Sequence, residues 1–268
     1  MGKFSKYIFL LVNGDTKAKI NALYALIFLI PYTFIKYFLK MKSIKPITLT
    51  LPFDCLVKTP YGKFYCRRRT GDFAVVEPCY EKEIQGIFLQ HKKFDLFVDI
   101  GAHIGKYSIM MASLNKKGEV IAIEPDARNF SILNYNVKIN HLKNVKTLPF
   151  ACSSKKGFIR LFYDKWLTTS PSATSNQTKT HVLVKCERLD GLLPKKQIDL
   201  IKIDVEGFEL EVLKGAKGVL KRTKAIIFES FENNINKVKT FLEERGFNVL
   251  NTKEKNYYYA IKEEGVKL

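Results

Sequence analysis

The chain is poor in tryptophan, histidine and acid, and each shortage narrows what it can be. One tryptophan and four histidines occur in 268 residues. His91, His103, His141 and His181 form no pair at metal-ligand spacing. The five cysteines, Cys55, Cys66, Cys79, Cys152 and Cys186, are odd in number and include no Cys-x-x-Cys. A zinc ribbon or a dithiol redox centre is therefore excluded, and the thiols read as buried and reduced in a cytoplasmic protein. Acids number 26 against 45 basic residues, a formal charge of +19. Such an excess suits an anionic partner (nucleic acid, lipid headgroups or an acidic glycan), although lysines scattered this evenly also describe a solvated surface.

Three regions follow one another. Residues 1–46 carry eight lysines against one aspartate, around the apolar "ALYALIFLIPYTFI" of 22–35. That run falls short of the ~20 residues of a spanning helix, and Pro31 and Lys36 interrupt it. With lysines on both sides, it predicts attachment to an anionic membrane surface through residues 20–40 on the cytoplasmic side; a core helix or dimer contact is the competing reading. Residues 47–94 form an extension: a hairpin with a Pro-Tyr-Gly turn in "FDCLVKTPYGKFYCRR", then a helical period in "YEKEIQGIFLQ".

From 95 to 268 strand and helix signals alternate. "LFVDI", "EVIAIE", "VKTLPFA", "IDLIKID" and "KAIIFES" read as strands, with helical stretches between most of them. The pattern predicts an α/β fold with a parallel sheet and right-handed crossovers. "GFNVLNTKEKNYYYAIK" adds an antiparallel hairpin at one edge. A Ser/Thr-rich loop over 165–180 interrupts the alternation and is expected on the acceptor side of a site.

Ligands of such sheets sit beyond the carboxyl ends of the strands, and three of those ends carry acids: Asp99, Glu124 and Asp204. Glu124 stands about twenty residues past the glycine turn, where an acid can hold ribose hydroxyls. A dinucleotide loop wants G-x-G-x-x-G, but here His103 replaces the middle glycine in "GAHIG". An acid just before the turn would also repel a pyrophosphate. A phosphate-free cation with an adenosine fits better, and S-adenosylmethionine is one.

At "DIGAHIGKYS" (99–108), "IAIEPD" (121–126) and "IKIDVEGFELEVLKGA" (201–216) the sequence resembles the FkbM family of S-adenosylmethionine-dependent methyltransferases. The resemblance spans roughly residues 95–230 in order and spacing, with His103 where the family commonly has Asn. It implies a class I, Rossmann-like methyltransferase fold: a mostly parallel seven-stranded sheet with an antiparallel last strand, preceded here by a helical and hairpin extension. It also implies a cofactor set of Asp99, Gly101, His103, Gly105, Tyr107 and Ser108 around the loop. Glu124, Pro125 and Asp126 would lie at the adenosine, Phe150 and Ala151 beside the adenine, and Asp204 at the methionine end. The acceptors it implies are hydroxyls of sugars, glycans, glycolipids or related small molecules.

A neutral hydroxyl attacking a sulfonium methyl benefits from a base, and Glu206, acting with Asp204, is the first candidate. Glu209 and His103 stand behind it, Glu209 reading more simply as a first-turn helix acid. The charge and "CRRR" (66–69) favour a rival, an enzyme or binding protein acting on nucleic acid. No Asn-Pro-Pro-Tyr-like run follows the fourth strand, where base methylation would want one. A non-enzymatic membrane- or glycan-binding module is the remaining alternative, against which three intact acids speak.

Overall fold

The computed structural model describes residues 5–29, 52–163 and 180–262. The segment 30–51, which holds most of the expected membrane segment, lies outside them, as does all of the 165–180 loop but Thr180. The chain divides into two compact units, residues 1–80 and 81–268.

In the first unit, helices α1 (Ser5–Asn13) and α2 (Thr16–Tyr24), with a π-helical turn at Ala25–Leu29, accompany a hairpin of β1 (Cys55–Thr59) and β2 (Gly62–Cys66). A short helix, α3 (Asp72–Val76), follows. Asp15 fixes the join: one oxygen caps α2 by accepting Ala18 N–H at 2.8 Å, and the other accepts Leu56 N–H of β1 at 3.1 Å. The buried Asn21 side chain bonds both backbone groups of Phe53, at 2.8 and 3.1 Å. Among the described residues no helix is long and apolar enough to cross a membrane.

The second unit opens with α4 (Lys82–Gln90) and then alternates: β3 (Leu96–Ile100), α5 (Lys106–Leu114), β4 (Glu119–Ile123), α6 (Ala127–Ile139) and β5 (Val145–Leu148). After the strands β6 (Ala151–Cys152), β7 (Gly157–Phe162) and β8 (His181–Glu187) come α7 (Leu189–Leu192) and β9 (Ile198–Ile203). Helices α8 (Glu209–Lys214) and α9 (Lys217–Lys221) lead to β10 (Thr223–Glu229), α10 (Ile235–Glu243), β11 (Phe247–Asn251) and β12 (Tyr257–Lys262). The main sheet has the order β11-β12-β10-β9-β3-β4-β5. Its β10-β9-β3-β4-β5 run is parallel, and β12 pairs antiparallel with both β10 and β11. This is the class I methyltransferase sheet, its final strand reversed.

The continuous apolar strands explain the core. All five residues of β3 are buried, and Val98, Ile100, Ile121, Ile201, Ile226 and Phe228 pack in one cluster. Each such side chain contributes about 1.5–3 kcal/mol when taken fully from water. Two elements differ from the sequence expectation. "VKTLPFA" is not one strand: Pro149, which cannot donate to a ladder, ends β5, and Ala151–Cys152 pair instead with Cys186–Glu187 in a separate three-stranded sheet. The helical "FELEVLKGAKGVL" breaks at Gly215–Ala216 into α8 and α9.

Candidate functional site

The turn from β3 into α5 depends on two glycines. Gly101 and Gly105 have φ of +78° and +92°. A Cβ at Gly101 would stand 1.8 Å from the Asp204 carbonyl oxygen, so only glycine lets the ends of β3 and β9 meet. His103 sits in the left-handed region at φ +52°, where Asn and His are tolerated best after Gly. The substitution of His for Asn therefore keeps the loop's shape.

Glu124, the first residue past β4, is buried and closes on this turn. One oxygen accepts His103 N–H at 2.8 Å and the other accepts Asp126 N–H at 2.9 Å. Burial pushes its carboxyl up to about 7, against the pull of those two backbone donors. Pro125 separates it from Asp126, which is also buried but committed locally. Asp126 caps α6 by accepting Arg128 and Asn129 N–H at 2.9 and 3.0 Å, and it also accepts the Tyr163 hydroxyl. Burial would raise this carboxyl, but the Tyr163, Asn129 and Arg128 donors hold it below the usual range.

Asp99 lies inside β3 with its neighbours buried on both sides. The Ser108 hydroxyl of α5 donates to Oδ2 at 2.6 Å, while Oδ1 is buried and accepts no hydrogen bond among the described residues. Fully buried itself, Ser108 acts through Asp99. Opposite Asp99 in the sheet register stands Lys202 of β9, its ammonium 3.9 Å from Asp99 Oδ1 and 2.9 Å from Asp204 Oδ2. Burial lowers the pull of Lys202 on its proton, but the Asp204, Asp99 and Glu81 carboxylates more than reverse this and keep it charged.

The row continues across the sheet. Tyr257 of β12 is the register partner of Glu229 at the end of β10, and Glu229 is hydrogen-bonded to Asp204. The Tyr257 hydroxyl is 2.9 Å from Glu81 Oε1 and 3.3 Å from Asp204 Oδ2. Tyr107 of α5 donates to the other Glu81 oxygen at 2.6 Å, and the Lys202 ammonium lies 5.5 Å over its ring. Glu206 follows Asp204 by two residues in the left-handed conformation, φ +52°. Burial, then the Asp204 and Glu209 charges, push it up to about 7. Glu209 is almost fully buried at the start of α8, accepting Gly207 N–H at 2.7 Å and the Asn234 side chain at 2.9 Å. Its helix-acid role fits that placement. Phe150 and Ala151 lie together just past β5, Ala151 buried and Phe150 half-buried under the Lys185 ammonium at 5.2 Å.

One edge of the sheet thus gathers Asp99, Gly101, His103, Gly105, Tyr107, Glu124 and Asp204. Glu81, Lys202, Glu229 and Tyr257 join them without having been expected. For Glu229 the signal was present: an acid ending an apolar strand, the criterion that marked the other three. A phosphate-free cation suits this edge. The glycines let β3 and β9 close up tightly behind the turn, Asp99 has a buried oxygen that accepts no hydrogen bond among the described residues, and carboxylates outnumber the ammonium among them.

The family model described as methyltransferase FkbM domain matches residues 99–249. "Methyltransferase sdnD" of Sordaria araneosa is 27% identical over 189 residues, covering 57% of this chain and 73% of that protein. "Hexuronic acid methyltransferase AglP" of Haloferax volcanii is 27% identical over 157 residues, covering 56% of this chain and 62% of that one. Among solved structures, a precorrin-6y C5,15-methyltransferase from Geobacter metallireducens matches with a TM-score of 0.43 and 18% identity, covering 68% of this chain and 88% of that one. The chain belongs to the FkbM family of S-adenosylmethionine-dependent methyltransferases.

Proposed function

We propose that the protein is an O-methyltransferase whose acceptor is a hydroxyl of a sugar, glycan, glycolipid or related small molecule. When bound, S-adenosylmethionine supplies a methyl group on a cationic sulfur. Asp99, Glu124 and the Gly101–Gly105 turn hold it, with Phe150 and Ala151 beside the adenine. What supports the reading is the placement of Glu206 in the left-handed turn after β9, where burial and the Asp204 and Glu209 charges push its carboxyl up to about 7, so that it can take a hydroxyl proton at neutral pH. A hydroxyl acceptor needs that help, whereas a more nucleophilic amine needs less. The hexuronic acid methyltransferase among the relatives supports a sugar as the acceptor class.

Mass spectrometry of glycan and lipid pools after incubation with isotope-labelled cofactor tests this. Label on a sugar hydroxyl supports the reading, and label confined to RNA or protein overturns it. On an identified acceptor, Glu206→Gln is expected to lower turnover roughly 10²–10⁴-fold with cofactor affinity unchanged. The wild-type rate should rise with pH through about 7, because the base works only once deprotonated. A variant that keeps full turnover removes Glu206 from the role.

We also infer attachment to an anionic membrane surface through the first unit. Ile20, Leu23, Tyr24 and Ile27 recur at helical spacing and are all exposed, as are Ile8 and Val12 on α1. Lys17 and Lys19 are exposed beside them. Vesicles containing phosphatidylserine should bind the protein at low salt. Replacing Ile20, Leu23 and Ile27 by Ser should abolish that binding, and unaltered binding would count against this face.

A further inference from the structure

Five carboxyls meet at the edge formed by β3, β9, β10 and β12: Asp99, Asp204, Glu206, Glu229 and Glu81. The ammonium within ion-pair distance of Asp99 and Asp204 is Lys202, at 3.9 and 2.9 Å. Lys106 stands 5.0 Å over the Tyr107 ring, and Glu209 adds a further acid from α8. Tyr257 has one hydroxyl proton, and its shorter bond gives it to Glu81 at 2.9 Å and not to Asp204 at 3.3 Å. Tyr107 supplies the second donor to Glu81. Glu81 therefore has a hydroxyl donor on each oxygen, and Lys202 pairs with Asp204. Glu229 has no tyrosine or lysine hydrogen-bond donor among the described residues, and the Lys202 charge offsets only part of the upward push on it. It touches Asp204, and two carboxylates in contact cannot both stay charged unless a cation joins them.

Burial, the Asp204 charge and the Glu206 charge push Glu229 up to about 9, while Lys202 holds Asp204 below the usual range. The ligand-free site accordingly stores one proton on the pair, and Glu229 carries it. An arriving sulfonium brings the positive charge whose lack keeps that proton in place.

We infer that binding of the cationic cofactor expels the proton shared by Asp204 and Glu229, so that Glu229 matches the charge of the site to that of its ligand. The chemistry is acid dissociation: the Glu229 O–H bond breaks, its electron pair stays on the carboxylate, and the proton goes to solvent. No acceptor is involved, so the inference stands or falls apart from the choice of acceptor. Glu229 acts here through Asp204 as a positioning residue. A neutral carboxyl serving only to satisfy Asp204 would keep its proton throughout.

Isothermal titration calorimetry at pH 8, in buffers of different ionisation enthalpy, counts the protons released. S-adenosylmethionine and S-adenosylhomocysteine carry the same amino and carboxyl groups and differ by the sulfonium charge. Wild-type protein should release more protons with the first than with the second, by up to one per site. Glu229→Gln keeps a donor for Asp204 but has no acid proton, so that difference should vanish while both ligands still bind. Asp204→Asn removes the neighbouring charge but not the burial, so Glu229 should be less raised and the difference smaller than in wild type. Wild-type affinity for S-adenosylmethionine should rise up to tenfold per pH unit below about 9 and level off above it, and Glu229→Gln should lack this component. Equal proton counts for the two ligands in wild type, or a difference that survives Glu229→Gln, overturns the inference.

Discussion

Lys202 lies in the middle of a strand that otherwise reads as core, and replacing it with Met tests whether the row of charges holds the sheet edge together. Methionine nearly conserves the volume and buries no polar group, so packing changes little. The loss is electrostatic: Asp99, fully buried, keeps Ser108 as its one hydrogen-bond donor among the described residues, and Asp204 keeps only its uncharged partners, Glu229 and the long contact to Tyr257. Removing one partner of a buried pair costs about 3–5 kcal/mol, and Asp204, its side chain 25% exposed, can recover part of it from water, which places the expectation near the lower bound. For a unit of this size ~3 kcal/mol corresponds to a fall in Tm of about 6–12 °C, readable by circular dichroism or calorimetry. The pH dependence supplies the control. In the wild type Asp204 is held below its unfolded value, so its contribution is present above that value and is lost as pH falls through the folded one. Without the ammonium, Asp99 and Asp204 are both raised in the folded state. Their penalty is then full at neutral pH and shrinks as acidification protonates them. The deficit of Lys202→Met should accordingly narrow between pH 8 and pH 5, and Asp99→Asn in the same chain should recover part of it. A deficit that stays constant with pH, or none at all, refutes the reasoning.

Two further outcomes follow from the same geometry. Asp99→Asn and Glu124→Ala should each weaken S-adenosylmethionine binding by roughly 1–3 kcal/mol, the worth of a hydrogen bond to a charged group, and unchanged affinity in folded variants would remove these acids from the cofactor site. Gly101→Ala should cost about 1–2 kcal/mol for the left-handed backbone alone, with a larger loss from the contact with Asp204. Calorimetric unfolding together with cofactor titration measures it, and a fully stable variant with normal affinity would contradict the close approach of the two strands.

Local chemistry carried most of the sequence reading. Asp99, the two glycines and Glu124 sit within 26 residues of one another, and strand, turn and strand could be placed from their own composition. The 55–66 hairpin and the 247–262 hairpin were legible for the same reason: turn residues between alternating runs. Lys202, Glu229, Tyr257 and Glu81 were not legible, because they meet through sheet register. Nothing in "KAIIFES" or "NYYYAIK" says that Glu229 and Tyr257 are cross-strand partners. Pro149 was visible, yet its effect was misjudged, since a strand that ends at proline can resume in another sheet.

The hydrogen bond from Tyr257 to Glu81 closes a separation of 176 residues. Contacts of such range carry a loop-closure cost that is repaid only once the strands between them are paired. β12 must also slot between β10 and β11, so its docking seals two ladders at once. An early folding intermediate with β3, β4 and β9 in place would already own the glycine turn and its acids but would lack the far side of the row. The cofactor then grips tightly only what is almost native. By mass action it raises the stability of the finished state, and in kinetic terms it slows unfolding far more than it hastens folding.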